Sequence, residues 1–527
     1  MPATRIDGKI RPLAMSEPSN DSAARIPHRG DLSTMARGTG VALVGGLLGS
    51  VVGWFGQLLL ARLLGPESFG SYSIGLAIVS IAAQLSTIGL ASATIYFVAR
   101  YKQEEAAKAR DVLVQAIGTS LLTGLIVGLV LFLLSPLIAK HFFHRPDLVP
   151  MLRIFTLSIG FAAGFLIARA ATTVSYQLSY RVFLDLFSNG SFLLLFLILY
   201  VLGGRLGGAA VAFLMSTVLG FGASAYALVR LYPDFFAASS RSTLVLDELL
   251  AYSMPAFAAS LFWAPRGWMD RLLLGYFRPP TEVGLYQAAS QSVSPLYMVS
   301  FAVSSIAAPM IASLYNRGER ARLEDAFRVS SKWILYSTLV VFIAIAAGPS
   351  DVLKMFFGAR YEGGAAALMI LSIGAVIDSA DGTALSMLLL TGHQKILLRI
   401  SAVSLILQFG LDLFLIPRYG IAGAAMAEVG VSIMLSTSML VAVKRLLGMS
   451  PYDGRYLKGL LATVVTGAGL YLIGTHWISI VAIRLIVRGC VAVAIFAAVM
   501  LAAGLDSEDR QVVVALVEKY FRRGSDT

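Results

Sequence analysis

The residues of this 527-residue chain most able to do chemistry are charges set inside apolar segments. Arg266 and Asp270 stand four apart in the stretch Pro265-Arg-Gly-Trp-Met-Asp-Arg271, in a segment that Pro255 also bends. On one helix they share a face, so they are expected to form an ion pair that lowers the cost of either charge in lipid. Ionisable groups within a bilayer usually face a cavity or the bundle interior. Asp378 and Asp381 place two carboxylates on one face at i and i+3. Such a pair tends to share a proton, which would suit proton coupling, unless a basic group from another helix neutralises it. Arg169 has no acidic neighbour in its own segment and is expected to face a cavity where it could meet an anion. Glu428 and Asp412 are further acids within apolar runs. Gln287, Ser290, Gln291, Ser294 and Tyr297, with Pro295 among them, form a polar stripe at helical spacing that is expected to line water. Arg484 and Arg488 share a face, and Arg484 is expected to snorkel to the membrane interface.

Other chemistries find no footing. The histidines His28, His141, His144, His393 and His476 form no metal constellation, and the single Cys490 excludes an internal disulfide framework. The chain shows no phosphate loop, dinucleotide fingerprint or serine elbow with partners, so neither a cofactor nor ATP hydrolysis is expected. Trp54, Trp263 and Trp268 could stack on sugar rings, although tryptophan in an apolar chain more often packs or anchors at the interface.

These charges must be held by membrane helices. Hydrophobic residues make up 57% of the chain and charged residues only 14%, with a mean hydropathy of +0.77. At about 20 apolar residues per crossing, that supply allows on the order of 14 crossings with little left for a soluble domain. Apolar runs recur at roughly 39–63, 74–99, 112–139, 151–176, 187–203, 207–229, 249–275, 283–312, 333–353, 365–391, 399–416, 421–443, 458–475 and 479–504. The fold expected is therefore all-α and polytopic, with about 14 transmembrane helices. Residues 1–38 read as a disordered cytoplasmic leader, and 505–527 as an amphipathic tail on the cytoplasmic interface. Of the 42 Lys and Arg, 28 fall in breaks on the N-terminal side, nine on the other side and five inside spans. By the positive-inside rule both termini are cytoplasmic, and the net charge of +12 reflects those loops rather than nucleic-acid binding. The breaks on the outer side are short, which argues against a membrane polymerase or ligase for glycans.

An internal repeat organises the runs. Gly70-Ser-Tyr72 matches Gly284-Leu-Tyr286 at an offset of 214, and Gly208-Ala-Ala-Val-Ala212 matches Gly423-Ala-Ala-Met-Ala427 at 215. Six spans separate the copies, so the halves are parallel six-helix repeats, 39–230 and 249–444, followed by an additional helix pair at 458–504. Such repeats favour a transporter with its site between two bundles. Small residues at four-residue spacing, Gly45, Gly49 and Gly53, then Gly124 and Gly128, then Gly160 and Gly164, are expected to allow close helix packing.

The segments Ala61-Arg-Leu-Leu-Gly-Pro-Glu-Ser-Phe-Gly-Ser-Tyr72, Asp270 through Gly275 to Gly284-Leu-Tyr286, and Leu415-Ile-Pro-Arg-Tyr-Gly-Ile-Ala-Gly-Ala-Ala425 carry a resemblance. Across residues 39–504 the chain resembles the Wzx-type oligosaccharide flippases of bacterial polysaccharide biosynthesis, in the multidrug, oligosaccharidyl-lipid and polysaccharide exporter superfamily. The resemblance implies an inner-membrane protein, not an enzyme, that moves an undecaprenyl-diphosphate-linked oligosaccharide between leaflets for exopolysaccharide, capsule or lipopolysaccharide synthesis. On that reading Arg169, Arg266, Arg271 and Gln291 meet the substrate, while Asp270, Asp378, Asp381 and Glu428 pair with them or take up a coupling proton or sodium ion. A polymerase and a chain-length regulator are the partners that it implies. A peptidoglycan-precursor flippase and a drug or cation antiporter of the same superfamily are the alternatives.

Overall fold

The computed structural model describes residues 29–101, 105–175, 178–233, 245–473, 480–504 and 506. The leader up to residue 28, the tail beyond 506 and the expectations placed on them lie outside the described residues. Those described are helical, and no strand occurs among them. Twelve of their helices are long and apolar enough to cross a membrane. This is a multi-pass membrane protein.

The two runs by which twelve differs from fourteen both sit at breaks. Helix α1 (Arg29–Ser86) contains Gly65 at φ 77° and ψ 169°, so a single hydrogen-bonded element carries the first run and part of the second. Only glycine takes that conformation at little cost, and Pro66 restarts the helix after it. The rest of the second run follows the turn at Thr87–Gly89 as α2 (Leu90–Tyr101). The run at 249–275 is likewise divided, into α8 (Leu246–Arg266) and α9 (Met269–Phe277), with Pro265 and the non-helical Trp268 at the joint.

The N-terminal half adds α3 (Ala106–Leu137), α4 (Val149–Leu157), α5 (Ile159–Thr172), α6 (Leu178–Val201) and α7 (Arg205–Leu231). The C-terminal half continues with α10 (Pro280–Asn316), α11 (Arg320–Ala346), α12 (Pro349–Phe356), α13 (Ala365–Ala380), α14 (Ala384–Leu390), α15 (Gln394–Tyr419) and α16 (Ile421–Leu447). The last pair is α17 (Arg455–Ile473) and α18 (Val481–Ala502).

Both repeat anchors have structural counterparts. A Cβ on Gly70 would overlap the Pro280 carbonyl, and one on Gly284 would overlap the Pro66 carbonyl, so α1 and α10 cross backbone to backbone. Gly208 packs on Leu199 and Gly423 on Leu415, each against the preceding helix of its own hairpin. The small-residue stripes serve the same end: Gly49 and Gly53 admit Asp185 and Asn189 of α6, and Gly124 meets Gly160 directly. The largest buried cluster gathers around the α1–α10 crossing, with Phe69, Tyr72, Phe155, Tyr286 and Tyr361 among its members.

Helices α17 and α18 pack on α11 through Leu335, Leu339, Ala462, Ala492 and Phe496. Arg484 donates to Asp351 at 2.6 Å and Arg488 to the other oxygen of the same carboxylate at 2.8 Å. Arg484 is therefore held by a carboxylate of α12. An acid 133 residues away in sequence gives no local signal of that pairing.

Candidate functional site

A cavity of about 730 Å³ opens within the C-terminal half, bounded by α8, α9, α10, α13, α14 and α16. Its charged lining consists of Arg266, Asp270, Arg271, Asp378, Asp381 and Glu428. Six of the eight predicted site residues thus come together from three separated stretches of chain. Arg169 and Gln291 do not join them. Arg169 forms an ion pair at 2.7 Å with Asp185 of α6, in the N-terminal half. Gln291 is half-buried, and its backbone carbonyl accepts a hydrogen bond from the Trp54 indole at 3.0 Å.

The charges pair differently from the helical-face expectation. Because the backbone leaves the helix at Gly267–Trp268, Arg266 and Asp270 no longer lie one turn apart on a common face. Arg266 instead donates to Glu428 of α16 at 3.2 Å, and Asp270 binds its neighbour Arg271 at 2.8 Å.

The two arginines differ in what they have left to give. Arg271 donates through Nε to Gln287 at 2.7 Å, through Nη2 to Ser290 at 2.6 Å and through Nη1 to both oxygens of Asp270. Tyr286 donates to the same carboxylate at 2.5 Å, and the guanidinium lies 5.3 Å from the Trp268 ring centre. That set fixes Arg271 in place. Arg266 makes its single bond to Glu428, and its buried Nε has no hydrogen-bond partner among the described residues. A guanidinium carries five donors in a planar fork, so Arg266 presents spare donors at the edge of a polar cavity.

The acids are divided in the same way. Asp378 accepts from Tyr297 at 3.1 Å, and neither Asp378 nor Asp381 has a basic partner among the described residues. With four carboxylates against two arginines, the lining has a surplus of acid. Of the polar stripe of α10, Ser290 and Tyr297 face this space, joined by Ser300 and Ser304, while Gln287, Gln291 and Ser294 are not part of its lining. Asp412 lies outside the lining, wholly buried beside Gln408, which donates to it at 3.0 Å. Tyr286 carries no charge to mark it in the sequence; its position two residues after the repeat glycine Gly284 is the signal available there.

Comparisons with known proteins agree with this architecture. The family model described as "Polysaccharide biosynthesis protein" matches residues 35–315, just over half of the chain, and the MatE model matches residues 255–414. The chain belongs to the polysaccharide biosynthesis protein family. An uncharacterized membrane protein of Methanocaldococcus jannaschii is 29% identical over 34% of this chain and 35% of its own length. A probable low-salt glycan biosynthesis flippase of Haloferax volcanii is 22% identical over 38% of this chain and 42% of its own. The matched regions thus span less than half of these relatives' own lengths. Among solved structures, the lipid II flippase MurJ in an inward closed conformation superposes with a TM-score of 0.74, at 16% identity, over 87% of this chain and 97% of that one. A MATE transporter of Vibrio cholerae gives 0.60, also at 16% identity, over 81% and 99%. These two likenesses are of fold.

Proposed function

We propose that this protein is a flippase that carries an undecaprenyl-diphosphate-linked oligosaccharide across the bacterial inner membrane for polysaccharide synthesis. A diphosphate with its glycan cannot cross hydrocarbon unaided, because stripping water from its charges and hydroxyls costs far more than thermal energy. The polar cavity offers that head group a path while the lipid tail stays in the bilayer. The observation that carries the reading is Arg266, which lines this cavity with its buried Nε left without a hydrogen-bond partner among the described residues. Arginine suits a diphosphate through its bidentate fork and fixed charge.

In this reading Arg271 shapes the cavity wall and Arg266 engages the anion, with Glu428 yielding its place as the diphosphate arrives. Asp378 and Asp381 take up the coupling cation, a proton or sodium ion. Arg169 and Gln291 contribute earlier or later, when the six-helix lobes have rocked about the α1–α10 crossing. In this reading that crossing lies at the outer face and both termini are cytoplasmic, an orientation that the Lys and Arg bias supports. A polymerase and a chain-length regulator would act on the product.

The test is to delete the gene and identify which lipid-linked glycan accumulates in the inner leaflet. The proposal expects an undecaprenyl-diphosphate oligosaccharide, and its absence would overturn the proposal. The surplus of carboxylates favours one second reading, a cation or drug antiporter. Loss of cationic-dye efflux on deletion, with no glycan accumulating, would establish that one instead.

A further inference from the structure

A second cavity, of about 560 Å³, adjoins the charged one and shares Trp263 and Gly267 with it as a common wall. Its lining holds no charged side chain and draws on both halves: Gln84 from α1, Ser188 from α6, Thr217 from α7, Ser260 and Trp263 from α8, and Trp268 beyond it. We propose that this cavity is the glycan subsite, holding uncharged sugar rings while the diphosphate stays at Arg266. The inference rests on the flippase reading above and deepens it.

The chemistry is that of sugar recognition. The C–H face of a pyranose stacks on an indole, and two indoles border this space. The ring hydroxyls need donors and acceptors at its edge. Ser260 and Thr217 donate to the carbonyls of Phe257 and Phe213, each at 2.7 Å, which leaves their oxygen lone pairs to accept from sugar hydroxyls. Gln84 supplies both an amide donor and a carbonyl acceptor, and its side chain has no hydrogen-bond partner among the described residues. A lipid tail in this space would cover that exposed amide without supplying a hydrogen bond, which is unfavourable. The volume falls in the range of cavities that enclose small molecules, room for a short stretch of sugar rings. Arg266 lies 6.0 Å from the Trp263 ring centre, so the charged and uncharged sites meet at one side chain.

The experiment measures binding of two probes, undecaprenyl diphosphate and undecaprenyl-diphosphate N-acetylglucosamine, to the purified full chain in detergent by native mass spectrometry. The parent should bind the sugar-bearing probe more tightly. The double variant Gln84→Leu, Thr217→Val should bind that probe about tenfold more weakly, as expected for lost hydrogen bonds in a desolvated site, yet bind the bare diphosphate as the parent does. Gln84→Leu with Thr217→Ser should regain part of the difference. Equal binding of the sugar-bearing probe by parent and double variant would overturn the subsite and leave the flippase reading intact. So would a parent indifferent to the sugar, or a double variant that loses both probes alike. A parent that binds neither probe would overturn the flippase reading itself.

Discussion

Gly70 and Gly284, equivalent residues of the two repeats, each lie where the other's helix has its backbone: a Cβ on Gly70 would stand 2.7 Å from the Gly284 nitrogen, and one on Gly284 would stand 3.1 Å from the Gly70 nitrogen. Reciprocal contact between equivalent residues is the signature of a local twofold axis between the halves. It also closes this end of the bundle, where Tyr361 donates to the Ala61 carbonyl at 2.7 Å and Arg62 to the Phe356 carbonyl at 2.6 Å. Gly70→Ala should force the helices apart at a cost of about 1–3 kcal/mol, seen as a lower Tm in detergent. Gly284→Ala should do the same. The double variant should cost less than the sum of the two, since both act on one contact. An unchanged Tm for both single variants would contradict the crossing.

At the opposite end, α2 and α8 bring the halves together a second time. The rings of Tyr96 and Tyr252 stack with centres 4.6 Å apart, and Gly89 sits against the backbone of Ser253 and Phe257. Both tyrosines are exposed, at the edge of a contact that also buries Leu90 and Leu249. With Cys490 replaced by alanine, cysteines at 96 and 252 joined by a short crosslinker should stop export, and reductive release should restore it. Full export in the crosslinked state would show that this end need not open.

The last helix pair is tied to the C-terminal half at both ends. Asp351 binds Arg484 and Arg488 at one end, and Asp506 binds Lys332 and Lys458 at the other, at 3.2 and 2.9 Å. Asp351→Asn, of nearly equal size, should cost about 3 kcal/mol by removing the shared carboxylate from two arginines. Burial pushes the Asp506 carboxyl up, but the hydrogen bonds from Lys458 and Lys332 outweigh it and hold the group below its ordinary value. A depressed folded-state value means that the stabilisation is present above the unfolded carboxylate value of about 4 and is lost as pH falls through the folded one. The Tm of the parent should therefore fall more steeply below about pH 4 than that of Asp506→Asn. Parallel curves would remove Asp506 from the clamp.

Long apolar runs and the 214-residue offset made the helices and the repeat legible, because spanning length and close packing write themselves into composition and glycine spacing. The breaks were harder to read. Nothing in the composition around Gly65 says that a helix continues past it, and Pro265-Arg-Gly-Trp reads equally as a kink or as a true break. That ambiguity decided the pairing, since Arg266 finds Asp270 only if the helix is continuous. Its actual partner, Glu428, lies 162 residues away, as Asp185 lies outside the segment of Arg169. Partners across helices depend on packing that no local pattern encodes. The six charged residues of the cavity lining do stand out in the sequence, because charge within an apolar run is costly enough to mark its own position.

The most direct test of the charged cavity follows the flipping of an undecaprenyl-diphosphate oligosaccharide by purified protein in liposomes, comparing the parent, Arg266→Ala, and Arg266→Ala with Glu428→Gln. The double variant removes both members of the ion pair and so leaves no orphaned charge. If Arg266 serves the diphosphate, both variants should flip at least about tenfold more slowly, even though the double variant regains the parent's Tm. Flipping at the parent's rate by the double variant would show that Arg266 only neutralises Glu428, contradicting its assignment as the anion's anchor.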